Sequence, residues 1–246
     1  MWLNHEQVTH SSISAYRKSL LNTCPNHIVI DNLFNEAKLD NVMKALQHTA
    51  NWQTQRHTYS ALYVDDAQWQ EASKHQRFVQ RDIWRSETYS SSNTIPSNTA
   101  VSNTTASNIR DSKTAYTFLE FLRSDEFMAV LSQLFNVKIT DMNVGDPDIN
   151  TNFFRLSTTD FIEQHADDSP GREVCMLLYL NKDWNENAGG ELVFMGKEKP
   201  ISIAPIYNRC VLFDPSSQGS EHWVQKLNSE YPDKYRYNVT SWYWSE

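Results

Sequence analysis

All six glycines of this 246-residue chain lie in its second half: Gly145, Gly171, Gly189, Gly190, Gly196 and Gly219. Residues 1–144 contain none. Average usage of about 7% would place roughly 17 glycines in a chain of this length. The scarcity excludes whole classes of site. Neither GxGxxG nor GxxxxGK(S/T) can be written anywhere, so no dinucleotide fingerprint or P-loop cradles a phosphate. The asymmetry also divides the chain into a Gly-free half and a half rich in tight turns.

The Gly-free half reads as helical with one entering strand. HIVIDNLF (27–34) is apolar and β-branched, and Leu39, Val42, Met43 and Leu46 then recur at helical spacing. A second helical zone spans about 114–135, with Ser124 as the N-cap between its two parts. Between these zones, 18 of the 29 residues in 86–114 are Ser, Thr or Asn. Such a segment buries too little apolar surface to offset its ordering entropy. It is expected to be a mobile loop, either a plain surface insertion or a lid over a substrate. Beyond about 150, short apolar runs alternate with turns: VCMLLYL (174–180), ELVFM (191–195), ISIAPI (201–206), RCVLFDP (209–215) and RYNVTSWYW (236–244). This spacing predicts a sandwich or barrel such as a jelly roll, with the helices packed on one outer face. The expected organisation is one α+β, mainly β domain over 1–246, in which 1–140 is helical support and 141–246 the β core.

Charge narrows the partners. With 22 basic against 30 acidic residues the net charge is -8, a surface that repels nucleic acid and anionic membrane. No apolar stretch approaches a membrane span, and MWLNHEQVTHSSISAYRKSL has none of the features of a secretory leader. Cys24, Cys175 and Cys210 form no CxxC pair, and the last two sit in apolar runs, which predicts buried thiols and a reducing, cytoplasmic setting. The sequence carries no signal for an oligomeric state.

His165-Ala166-Asp167 is the only HxD triplet. Alone it is weak, but in an extended segment residues i and i+2 project side by side. With one more histidine they would form the 2-His-1-carboxylate face that suits non-haem Fe(II) oxygen chemistry. His222 follows a strand and turn that would return the chain to the barrel mouth, although by itself it fits a surface loop better than a ligand position. Arg236, fourteen residues later, heads an apolar strand on whose alternating face Asn238, Thr240, Trp242 and Trp244 also lie. A guanidinium there needs an anionic partner, either a structural carboxylate or the distal end of a dicarboxylate cosubstrate. Tyr179 is a core tyrosine or a second anchor for that ligand.

From Gly171 to Tyr243 the chain resembles the prolyl-hydroxylase branch of the Fe(II)/2-oxoglutarate-dependent dioxygenases, especially the oxygen-sensing prolyl hydroxylases. The resemblance is carried by His165-Ala166-Asp167, Gly171-Arg172, the YLNKDW stretch of 179–184, Gly189-Gly190, Val211-Leu212-Phe213, His222-Trp223-Val224-Gln225, and Arg236-Tyr237 through Trp242-Tyr243. It implies a double-stranded β-helix, cupin-like, with Fe(II) on His165, Asp167 and His222. It further implies that 2-oxoglutarate is anchored by Arg236 with Tyr179 and Thr240, and that Arg172 and Trp242 line the substrate entrance. The implied reaction consumes O2 and hydroxylates an unactivated C–H bond with release of succinate and CO2, with ascorbate as a reductant. The implied substrate is a prolyl residue of a protein or peptide, and the competing one is a free amino acid or other small molecule. The segment between His222 and Arg236 is longer than in the oxygen sensors. Other classes remain to be distinguished: a non-enzymatic cupin-like metal-binding module, which would need neither Arg236 nor Tyr179, and a zinc hydrolase, for which no general base is evident. Nucleic-acid demethylation conflicts with the negative charge.

Overall fold

The computed structural model describes residues 1–48, 51–85, 103–140, 150–231 and 234–245. Five helices are described: α1 (His10–Leu21), α2 (Glu36–His48), α3 (Asp66–Glu71), α4 (Asn103–Leu122) and α5 (Asp125–Phe135). The strands are β1 (His27–Asp31), β2 (Trp52–Thr58), β3 (Arg77–Trp84), β4 (Ile139–Thr140), β5 (Thr151–Leu156), β6 (Phe161–His165), β7 (Arg172–Tyr179), β8 (Leu192–Phe194), β9 (Ile201–Ile203), β10 (Arg209–Phe213), β11 (His222–Val224) and β12 (Arg236–Ser245).

The last eight strands form a double-stranded β-helix. They divide between two four-stranded antiparallel layers, β10-β7-β12-β5 and β6-β11-β8-β9, and the chain passes back and forth between them. Strand β3 joins the layers at one edge by pairing with both β5 and β6, while β1 extends the first layer beyond β10.

The sequence of β7 explains this layering. Its side chains are apolar on both faces because both are covered. Val174, Met176 and Leu178 face the helical core, built with Phe118, Phe121, Phe127 and Leu131 of α4 and α5. Cys175, Leu177 and Tyr179 face the barrel interior with Leu192, Phe194, Val211 and Phe213. The helices therefore cover the outer face of the β10-β7-β12-β5 layer. Ser124 begins α5 as expected, its Oγ accepting the Phe127 N–H at 3.4 Å, a cap of about 1 kcal/mol. Cys175 and Cys210 are buried free thiols. Among the described residues no helix is long and apolar enough to cross a membrane.

Two expectations need correction. The Gly-free half holds three further strands, the short β4 and the pair β2 and β3, which match over seven positions. The sequences of β2 and β3, WQTQRHT and RFVQRDIW, lack the apolar alternation of an ordinary half-buried strand because their inward face carries Gln55, His57 and Arg81, the last two lining a cavity. The proposed loop 86–114 is also too long. Asn103–Thr114 belong to α4, where the apolar segment ending at Leu122 anchors a helix that propagates into polar sequence at small cost per residue. The rest of that segment, 86–102, lies outside the described residues.

Candidate active site

Antiparallel pairing of β11 with β6 sets His222 directly opposite His165, the last residue of β6. Asp167 follows two residues later. The three side chains offer ligand atoms that all lie within 4.8 Å of one another, and among the described residues they form the only such group of His, Cys, Asp or Glu. Asp167 Oδ1 is 3.8 Å from His165 Nε2, and Asp167 Oδ2 is 3.8 Å from His222 Nε2. The turn before His222 depends on Gly219, at φ +81°: a Cβ there would come within 2.6 Å of the backbone of Gly196. The chain can return to the barrel mouth only because that residue is glycine.

Each imidazole is oriented from behind. His165 Nδ1 is 2.9 Å from the Glu163 carbonyl and His222 Nδ1 is 3.0 Å from that of Ser220. A proton on Nδ1 leaves the Nε2 lone pair free for a metal. Burial pulls the His222 pKa down to about 4, reinforced by His165, so this ring is neutral near pH 7. For Asp167, burial pushes the pKa up. The two imidazoles, the Trp242 N–H and the Arg172 guanidinium outweigh that, and hold the carboxyl below its ordinary value. Trp242 Nε1 donates to Asp167 Oδ2 at 2.9 Å. Arg172 donates to the Asp167 carbonyl and stacks over Trp242 and Trp244. Two imidazoles with Nε2 turned inward and one carboxylate held below its ordinary pKa, with buttressed orientations, fit Fe(II).

Beside this cluster lies a buried cation. Arg236 is fully buried; its Nε donates to the Gly190 carbonyl at 2.7 Å and its Nη1 to Asn238 Oδ1 at 2.8 Å. Its Nη2 has no hydrogen-bond partner, and neither does Tyr179 Oη, although both atoms are buried. The Tyr179 ring lies 4.9 Å from the Arg236 guanidinium, and burial raises the phenol pKa against the pull of that cation, so it remains a donor. Asn238 Nδ2 donates to Thr240 Oγ1 at 2.9 Å. A guanidinium edge, a phenol and a hydroxyl therefore meet with hydrogen-bonding capacity that the protein leaves unused. A buried group in that state calls for an acceptor, and a carboxylate supplies one.

A cavity of about 540 Å³ joins the two features; it is lined by His165, Asp167, His222, Arg172, Arg236, Thr240 and Trp242 together with Asn238, His57 and Arg81. Seven of the eight site residues expected from the sequence line it. The eighth, Tyr179, reaches the cavity region through its contact with Arg236. Three residues had not been assigned a role. Asn238 was visible only as a member of the Arg236 strand face. His57 and Arg81 come from the two strands that the sequence did not betray.

Residues 151–244 match the model of the 2OG-Fe(II) oxygenase superfamily. Prolyl 3-hydroxylase OGFOD1 of Mus musculus is 26% identical over 133 residues, covering 51% of this chain but only 23% of that protein. This chain thus spans less than a quarter of the curated relative it matches. Among solved structures, a prolyl-4-hydroxylase of Pseudomonas putida superposes with a TM-score of 0.57 at 15% identity, covering 95% of this chain and 99% of that one. A prolyl hydroxylase of Trichoplax adhaerens, solved with a hypoxia inducible factor peptide, gives a TM-score of 0.57 at 18% identity, with 96% and 94% covered. At these identities the two structures share the fold.

Proposed function

We propose that the protein, whose residues 151–244 match the model of the 2OG-Fe(II) oxygenase superfamily, is a hydroxylase that inserts one oxygen atom into a C–H bond of a prolyl residue in a protein or peptide, releasing succinate and CO2. The observation that carries this reading is the adjacency of a 2-His-1-carboxylate cluster to a buried guanidinium and phenol with unused donors.

In this reading His165 Nε2, His222 Nε2 and an Asp167 oxygen hold Fe(II). The bound iron supplies dioxygen activation and the oxidative decarboxylation of 2-oxoglutarate. Arg236 Nη2, Tyr179 Oη and Thr240 Oγ1 take the distal carboxylate of 2-oxoglutarate, which fixes the other end of the cosubstrate toward the metal ligands. Trp242 and Arg172 keep Asp167 ionised and correctly turned. Leu177, Leu192, Ile162 and Val224 line the same cavity and exclude water from the reacting carbon. Ascorbate would act only as a reductant that returns idle iron to the ferrous state. The prolyl assignment draws on the mouse relative and on the two prolyl hydroxylase structures.

The test combines turnover with binding. Purified protein with Fe(II), 2-oxoglutarate and a panel of proline-containing peptides should form succinate and gain one oxygen atom on proline, and Arg236→Gln should abolish 2-oxoglutarate binding. Absence of succinate with every substrate, together with unaltered 2-oxoglutarate binding in Arg236→Gln, would overturn the proposal.

A further inference from the structure

One wall of the cavity is built by the β2–β3 pair. Gln55 faces Arg81 across the ladder and His57 faces Val79, so alternation sets these four side chains on one face. Of the four, His57, Val79 and Arg81 line the cavity. The Arg81 guanidinium lies 3.5 Å from the centre of the Phe154 ring, and its Nε donates to Gln55 Oε1 at 3.0 Å. Those two contacts fix the guanidinium plane. Among the described residues, no hydrogen bond or ion pair reaches its two Nη groups. Burial lowers its pKa to about 10, so it stays charged at neutral pH.

Next to it, His57 Nδ1 accepts the backbone N–H of Tyr63 at 3.1 Å, which puts the ring proton on Nε2. Burial takes the His57 pKa down to about 3, with Arg81 the next cause, so the ring is neutral and Nε2–H is a donor. The wall therefore offers a rigid cation and a neutral donor beside it.

Charge arithmetic shows that the cosubstrate does not consume this capacity. Apart from histidines, the charged residues lining the cavity are Arg81, Arg172 and Arg236 against Asp167 alone. Adding a divalent metal and dianionic 2-oxoglutarate, whose charges cancel, leaves the lining at two net positive charges. Arg172 is already turned onto Asp167, at 3.8 Å from its carboxylate, and Arg236 is the cosubstrate anchor. Arg81, partly exposed to the cavity, is left with no ion pair and chiefly the pull of Asp167, which it shares with Arg172, as its counter-charge, so it can take an anion that a ligand brings.

We propose that Arg81, with His57 Nε2–H beside it, receives a carboxylate carried by the substrate itself, so that the group to be hydroxylated arrives with an acid close to the reacting carbon. This deepens the hydroxylase reading above and rests on it. A carboxylate of this kind has two sources: the α-carboxylate of a free amino acid, or the side chain of an acidic residue next to the proline of a peptide. Arg81 is then a specificity-determining residue of the reaction.

The proposal is tested by calorimetric binding under argon, with Fe(II) and 2-oxoglutarate loaded and no turnover possible. One pair of probes is L-proline and L-prolinamide. The other is a blocked peptide with Glu beside its single proline and the same peptide with Gln. In at least one pair the acid should bind about tenfold tighter or more, as expected for a charge-assisted hydrogen bond, and the preference should shrink as salt is raised. It should vanish in Arg81→Gln and return in part in Arg81→Lys, while both variants bind 2-oxoglutarate like the wild type. The pair that responds identifies the source. Equal binding of acid and amide in both pairs, a preference that survives Arg81→Gln, or loss of 2-oxoglutarate binding in Arg81→Gln would each overturn the proposal. The acid preference is titrated a second time in metal-free protein without 2-oxoglutarate: a wild type that keeps the preference there but fails to bind 2-oxoglutarate with Fe(II) would bring down the hydroxylase reading and leave the acid site standing.

Discussion

Trp242 Nε1 donates to Asp167 Oδ2 at 2.9 Å across a sequence separation of 75 residues. This bond ties the one carboxylate of the His165–Asp167–His222 cluster to β12, the strand that carries Arg236. It also helps keep the Asp167 carboxyl ionised despite its burial.

Trp242→Phe removes that donor and keeps most of the ring. An outer-shell partner of a metal ligand is worth about 10- to 100-fold in metal affinity, so a loss within that range is expected in a Mn(II) or Fe(II) titration. The melting temperature should change little. Unchanged metal affinity would show that the indole only packs beside the carboxylate.

Gly190 lies behind Arg236. Its carbonyl accepts Arg236 Nε, its φ is +83°, and an added Cβ would come within 3.0 Å of both Arg236 Cδ and the Trp184 ring. Gly190→Ala should therefore push the guanidinium out of position and raise the 2-oxoglutarate Kd by about tenfold or more, alongside a stability loss of about 1–3 kcal/mol from strain and crowding. Isothermal titration with 2-oxoglutarate reads the first effect and thermal unfolding the second. A stability loss without any change in Kd would separate this turn from the anchor.

Stability should fall in acid, and His57 gives one cause. Its pKa is lowered from 6.5 to about 3, chiefly by burial. The unfolded chain takes up a proton near pH 6.5 that the folded state refuses. The contribution is therefore complete above pH 6.5 and is lost as pH falls toward 3, at up to about 1.4 kcal/mol per pH unit. His222, lowered to about 4, adds a second proton over part of the same window. Denaturant titrations of metal-free protein between pH 7 and pH 4 should show this slope, and His57→Gln should flatten it by about one proton. An identical slope in the variant would mean that His57 is protonated in the fold.

What could be read from the sequence divides along physical lines. Strands β7, β8, β9, β10 and β12 of the β-helix are legible because they are apolar runs bounded by short turns. His165 and Asp167 are legible because a period of two sets them side by side, whereas His222 and Arg236, in other strands, are legible only through the family resemblance. Strands β2 and β3 are not, since Gln55, His57 and Arg81 replace apolar residues on their inward face. A strand that lines a polar cavity looks like a loop in composition. The same substitution that hides β3 from sequence reading is what gives the cavity its second cation. The helical character of Asn103–Thr114 is hidden for a different reason, because it comes from cooperative extension of a neighbouring apolar segment rather than from local preference.

Asn238 offers the sharpest separation of charge from structure at the anchor. Its Oδ1 accepts from Arg236 Nη1 and its Nδ2 donates to Thr240 Oγ1, so it sets both the guanidinium plane and the hydroxyl direction. Asn238→Ala should leave Arg236 Nη1 without an acceptor, at a cost of about 1–3 kcal/mol in stability, and raise KM for 2-oxoglutarate with kcat retained. Asn238→Asp should behave differently. The introduced carboxylate would pair with Arg236 and satisfy the buried cation, so stability should be kept or increased. The anchor would then be neutralised, and 2-oxoglutarate affinity should fall further than in Asn238→Ala. A melting temperature and a 2-oxoglutarate affinity that move in opposite directions between these two variants would mark Arg236 as a cation held ready for a ligand. If both variants lose stability and affinity in parallel, Arg236 is a structural cation and the cosubstrate carboxylate binds elsewhere.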